Sequence, residues 1–66
     1  MEIIVNGKPQ QVPDTCTAAD LVESLGLGDR RIAMEINLEI VPRSGYAGHR
    51  LTAGDRVEIV HAVGGG

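Results

Sequence analysis

The run Arg56-Val57-Glu58-Ile59-Val60-His61-Ala62-Val63-Gly64-Gly65-Gly66 decides how this chain folds. Val57, Ile59 and His61 alternate with Glu58, Val60 and Ala62, the two-residue period of a strand whose faces meet different surroundings. It is the longest strand-like run in the sequence, and Val63 and three glycines follow it. Glycine loses more backbone freedom on ordering than any other residue, so three in a row do not cheaply prolong a strand. The segment therefore divides into a strand over 56–62 and a flexible tail over 64–66.

Working outward, Thr52-Ala53-Gly54-Asp55 is turn chemistry. At the other end of the chain Ile3-Ile4-Val5 is a short apolar run, and Asn6-Gly7 after it suits a tight hairpin because both residues tolerate positive φ. Gln10-Gln11-Val12 reads as the return strand, closed by Pro13, which gives a hairpin over 2–12. Thr17 then caps a helix, with Asp20 at the acidic position of a capping box. Ala18, Leu21, Val22 and Leu25 recur at helical spacing as one apolar stripe, and Gly26 fits the left-handed residue that ends such a helix. Asp20 and Glu23 on its other side are solvated charges.

Between helix and final strand, Ile32, Met34 and Ile36 alternate along 31–36 as one face of a strand. Asn37-Leu38-Glu39 reads as a turn, and Ile40-Val41-Pro42 as a short strand whose proline marks an edge or a terminus. Ser44 to His49 contains Gly45 and Gly48 and reads as irregular, with room for one helical turn. The order is strand, strand, helix, strand, strand, strand. A helix with one apolar stripe must pack on one sheet face, an α+β solution. The first and last strands are the longest apolar ones, so they belong together at the sheet centre, parallel if the crossover takes its usual right hand. That is the β-grasp, or ubiquitin-like, arrangement: a mixed sheet of four to five strands with one main helix. Residues 1–63 form the domain and 64–66 its tail.

Size and composition limit what such a domain does. A chain of 66 residues is one domain. It buries only about 60% of its unfolded surface. Ligand pockets usually occupy roughly 300–1,000 Å³, which is hard to enclose on this scale and weighs against an autonomous enzyme. The net charge is -3, with no Trp, no Phe and one Tyr, so the basic surface and stacking aromatics of a nucleic-acid binder are missing. A mildly acidic protein is instead steered toward a basic docking surface. Cys16, the one cysteine, forms no internal disulfide. The chain opens on a strand and has no apolar run near the roughly 20 residues of a membrane span, so a soluble, cytoplasmic protein is expected.

Three closing glycines are, on the plainest view, a frayed end or a cloning remnant. Behind a compact ubiquitin-like strand order they acquire a chemical reading. A terminal carboxylate is a poor acyl donor until activated, typically as an acyl adenylate made with ATP. The activating partner must thread the tail through a narrow channel, and glycines allow that close approach because they lack Cβ. Holding reacting atoms about 3–3.5 Å apart then supplies much of the rate. A side chain at Gly65 or Gly66 should block entry.

The segments Glu35-Ile36-Asn37, Ile40-Val41-Pro42-Arg43, Gly54-Asp55-Arg56-Val57-Glu58-Ile59-Val60 and Ala62-Val63 with the closing glycines resemble the ThiS family of sulfur carriers of thiamin biosynthesis. Ile3-Ile4-Val5-Asn6-Gly7 and the helix around Leu21-Val22-Leu25 fit as well, so the resemblance spans the chain. It implies that a ThiF-type adenylating enzyme activates Gly66 with ATP, and that sulfur from a cysteine desulfurase turns the adenylate into a thiocarboxylate. It also implies that thiazole synthase, ThiG, takes the sulfur into the thiazole ring. The chain is then a protein co-substrate with no catalytic residue and no bound cofactor. Gly64, Gly65 and Gly66 enter the partner's active site, with Gly66 the modified residue; Gly64 extends the usual diglycine.

The remaining polar residues read as ordinary. Cys16 is expected to be a small buried hydrophobe. His49 and His61 lack companion ligands for a metal. Arg43 is a solvated charge by default and a docking contact as the sharper alternative. Ile4, Val60 and Ala62 would share the sheet face opposite the helix if Ile3, Val5, Val57 and Ile59 face the core; with Val63 they are the candidate docking surface. The molybdopterin-synthase small subunit has the same fold and Gly-Gly end, although the short length and the Ile40–Arg43 segment favour the thiamin carrier. A ubiquitin-like modifier conjugated to lysines and a non-reactive β-grasp binding module are rivals of other classes.

Overall fold

In the computed structural model, which describes residues 1–61, β1 (Glu2–Val5) and β2 (Lys8–Gln11) lead into α1 (Ala18–Ser24), followed by β3 (Ile32–Ile36), β4 (Glu39–Val41), a 3-10 turn (Arg43–Gly45) and β5 (Arg56–His61). The five strands form one mixed sheet in the order β2-β1-β5-β3-β4. β1 and β5 run parallel at its centre, Val5 beside Val57, and every other pairing is antiparallel.

The hairpins follow from backbone conformation. Asn6 (φ 50) and Gly7 (φ 82) form the two-residue loop between Val5 and Lys8. Asn37 (φ 53) and Leu38 (φ 71) repeat it between Ile36 and Glu39. Loops of this kind match the right-handed twist of the flanking strands. Glu39 thus belongs to β4 and not to the turn, because a two-residue loop needs no third residue. β2 also differs from its expected extent: it includes Pro9 and ends before Val12. As the outermost strand it tolerates a residue with no N–H to donate. Val12 still ties down the chain start: its amide donates to the Met1 carbonyl at 2.9 Å and its own carbonyl accepts from the N-terminal ammonium at 2.7 Å.

Helix α1 is held by a reciprocal capping box: the Asp20 amide donates to Thr17 Oγ1, and the Thr17 amide to Asp20 Oδ2, each at 3.1 Å. Gly26 beyond its end takes φ 73. Ala18, Leu21 and Val22 face the sheet and are buried with Ile3, Val5, Met34, Ile36, Val57 and Ile59. Burying one such aliphatic side chain is worth about 1.5–3 kcal/mol. Tyr46, just past the 3-10 turn, and Leu51 close the core from the crossover segment. A sequence lacking Phe and Trp thus spends its one aromatic in the core.

Candidate functional site

The candidate site is the end of β5 and what it presents. β5 ends at His61, the last described residue, so its hold on the sheet fixes the point from which residues 62–66 depart. On one side β3 pairs with it to its last residue, Ile32 opposite His61. On the other side the β1 ladder stops at Val57. There Asn6 takes over: its amide donates to the Val57 carbonyl at 2.9 Å and its Oδ1 accepts from the Ile59 amide at 2.8 Å. One hairpin residue thus shapes a turn and prolongs the ladder toward the tail.

The start of β5 is fixed by a second polar knot. Asn37 Nδ2 donates to Asp55 Oδ1 at 3.0 Å, and the Thr52 hydroxyl donates to the same oxygen at 2.9 Å. Asp55 Oδ2 accepts from the Thr52 amide at 2.8 Å. Asn37 Oδ1 in turn accepts from the Arg56 amide at 3.0 Å. Asp55 is buried. Burial alone would push its carboxyl up; the hydrogen bonds from Thr52 and Asn37 outweigh this, with His49 assisting, and hold it below the ordinary value. Thr52 to Asp55 reads in sequence only as a turn, because its partner Asn37 lies on another hairpin.

Cys16 is buried, and its thiol donates to the Thr17 carbonyl at 3.4 Å. Burial, with the charge of Asp20, pushes its pKa up, which keeps it protonated and a poor nucleophile. Arg43 is engaged within the molecule: its guanidinium donates to the carbonyls of Gly28 and Arg30, clamping the loop after α1 to the 3-10 turn. His61 is exposed at the end of β5. Among the described residues no three His, Cys, Asp or Glu side chains come together as metal ligands would, and no helix is long and apolar enough to cross a membrane.

Ile3, Val5, Val57 and Ile59 are buried on the helix side, so Ile4 and Val60 lie on the opposite, open face. Ile4 is half-buried between Pro9 and Arg56 of the neighbouring strands. Val60 is 57% exposed. Ala62, Val63, Gly64, Gly65 and Gly66, the other residues singled out in the sequence, lie outside the described residues.

Comparison with known proteins agrees with this architecture. A family model described as the ThiS family matches residues 3–66. A thiazole synthase of Paramagnetospirillum magneticum is 41% identical over 66 residues, covering 100% of this chain and 20% of that protein. The chain thus spans about one fifth of the length of the thiazole synthases it matches. The sulfur carrier protein ThiS of Bacillus subtilis is 40% identical over 63 residues, 94% of this chain and 96% of the relative. The crystal structure of the thiamine biosynthesis protein ThiS of Geobacter metallireducens superposes with a TM-score of 0.86 at 29% identity, covering 100% of both chains.

Proposed function

The chain belongs to the ThiS family of sulfur carriers of thiamin biosynthesis, and from that premise we propose how it carries sulfur: as a thiocarboxylate on Gly66. A Gly66 carboxylate oxygen attacks the α-phosphorus of ATP in the active site of a ThiF-type enzyme, and pyrophosphate leaves. A persulfide charged with sulfur by a cysteine desulfurase attacks the acyl carbon of the adenylate, and AMP leaves. A thiol then cleaves the S–S bond of the acyl disulfide so formed, releasing the thiocarboxylate and leaving a disulfide. The resulting thiocarboxylate donates its sulfur to the thiazole ring at thiazole synthase. The chain supplies the acyl group and its presentation; the partners supply the catalytic groups, so it acts as a co-substrate.

The observation that carries this reading is the family match, which runs through residue 66. The glycines suit a threaded tail because no Cβ obstructs close approach. The half-buried Ile4 and the exposed Val60 lie on the face that meets these partners in this reading.

Incubation with the adenylating enzyme, ATP and a sulfur donor, followed by intact-mass measurement, tests the reading. The expected gain equals sulfur minus oxygen, and deletion of Gly66 abolishes it. Lysine conjugates in place of that gain would make the chain a modifier. Transfer to molybdopterin synthase in preference to thiazole synthase would assign it to the other sulfur pathway.

A further inference from the structure

The open face of the sheet is not uniform. Three large apolar side chains among the described residues are strongly exposed: Leu38 at 86%, Ile40 at 77% and Val60 at 57%. Ile40 and Val60 line one cleft across β4, β3 and β5, together with Ala33, Glu35 and Glu58. The strand register explains the grouping. Ala33 lies opposite Val60, while Glu35 lies between Glu58 on one side and Ile40 on the other. A contiguous exposed apolar surface of this kind marks a partner contact.

The two carboxylates say what kind of partner. Like charges directly opposite each other on adjacent strands destabilise a sheet. Among the described residues neither Glu35 nor Glu58 has a cation within salt-bridge distance. A cation from outside would offset their repulsion while apolar side chains beside it cover Ile40 and Val60. Position supports the same conclusion. Residues 62–66 reach at most about 18 Å beyond His61 even when fully extended. A protein acting on Gly66 must therefore approach this end of β5, and Ala33–Val60 is the open-face pair nearest to it.

We propose that the enzyme that accepts the carried sulfur, thiazole synthase, docks on this cleft by seating an Arg or Lys side chain between Glu35 and Glu58 and apolar side chains against Ala33, Ile40 and Val60. The proposal rests on the sulfur-carrier reading above. The acceptor is the chosen partner because a thiazole synthase that matches this chain contains a segment aligned with all 66 of its residues, so carrier-like module and enzyme are made there as one polypeptide.

Calorimetric titration of the full chain with its cognate thiazole synthase tests this, at about 50 mM and about 300 mM salt so that screening is varied. Glu35→Gln/Glu58→Gln should weaken binding by about tenfold at low salt and flatten its salt dependence. Ile40→Ser should weaken binding about as much and leave the salt dependence intact. The double Gln variant should melt no lower than the parent, because it removes a repulsion; that excludes misfolding as the cause. Unchanged affinity in a double variant that melts normally overturns the proposal. So does a parent chain that gains sulfur yet does not bind thiazole synthase, or a parent that self-associates through this face and is made monomeric by the same variants. A parent that neither gains sulfur nor binds overturns the carrier reading itself, and this proposal with it.

Discussion

Leu38 is the residue most at odds with its own backbone. It takes φ 71, a conformation that costs a non-glycine residue roughly 1–2 kcal/mol, and its side chain is 86% exposed, so burial offsets little of that cost. The equivalent place in the other hairpin is Gly7. Glycine itself carries an entropic penalty of about 0.5–1 kcal/mol. Leu38→Gly should therefore stabilise the fold by about 0.5–1 kcal/mol in urea unfolding; an unchanged or lower midpoint would show that Leu38 makes contacts worth more than its strain.

Asp55 provides the pH prediction at the same scale. Its folded pKa lies below its unfolded value, which for aspartate is about 3.9. The stability it contributes is therefore fully present above pH of about 4 and is lost as pH falls through the lower folded value. Asp55→Asn leaves the Thr52 amide facing an NH₂ or without its acceptor, at a cost of about 1–3 kcal/mol near neutrality. The stability gap between the two proteins should narrow as pH is lowered below about 4, measured by denaturant titration at each pH. A gap independent of pH would remove the carboxylate's assigned role.

At the scale of elements, helix α1 has only 7 residues, below the length at which an isolated helix holds together. Its capping box and its buried stripe maintain it. Thr17→Ala should cost about 1 kcal/mol. Sulfur loading of Gly66 should be unaffected, because Thr17 belongs to the helix start and not to β5. Most of this element was legible in the sequence: Thr17, Asp20, the Ala18-Leu21-Val22-Leu25 stripe and Gly26 are all local signals. The strand ends were less so. Pro9 signals a strand end locally, and only its place on the outermost strand lets it stay in β2. Asn37-Leu38 lacks the glycine that announces Asn6-Gly7, which left the start of β4 unclear from sequence.

At the scale of the molecule, the fold holds the last described strand at both ends. Asn6 and the β3 ladder hold β5 up to His61, and the Asp55 knot holds its start. On the proposed division into a domain over 1–63 and a tail over 64–66, the Gly66 deletion expected to abolish sulfur loading should keep the parent's melting temperature. A deletion protein that unfolds would contradict the division into domain and tail. By contrast Leu21→Ala, in a wholly buried position, should cost about 2–5 kcal/mol, a large share of a small domain's stability.

The sequence by itself determined the element order, the capped helix and the parallel central pair. The order and the helix follow from local signals and periodic patterns, and the central pair from the apolar first and last strands together with the right hand of the crossover. Only the tertiary structure decided which charges are spent inside the fold and which face outward. Arg43 read as a solvated or docking charge, yet it is satisfied by the carbonyls of Gly28 and Arg30, and Asp55 by Asn37, 18 residues away. Likewise β5, read as a strand leading to the glycines, carries beside it a cleft assembled by β3 and β4. Glu35 and Glu58 meet there because register, a property of paired strands, sets who stands opposite whom.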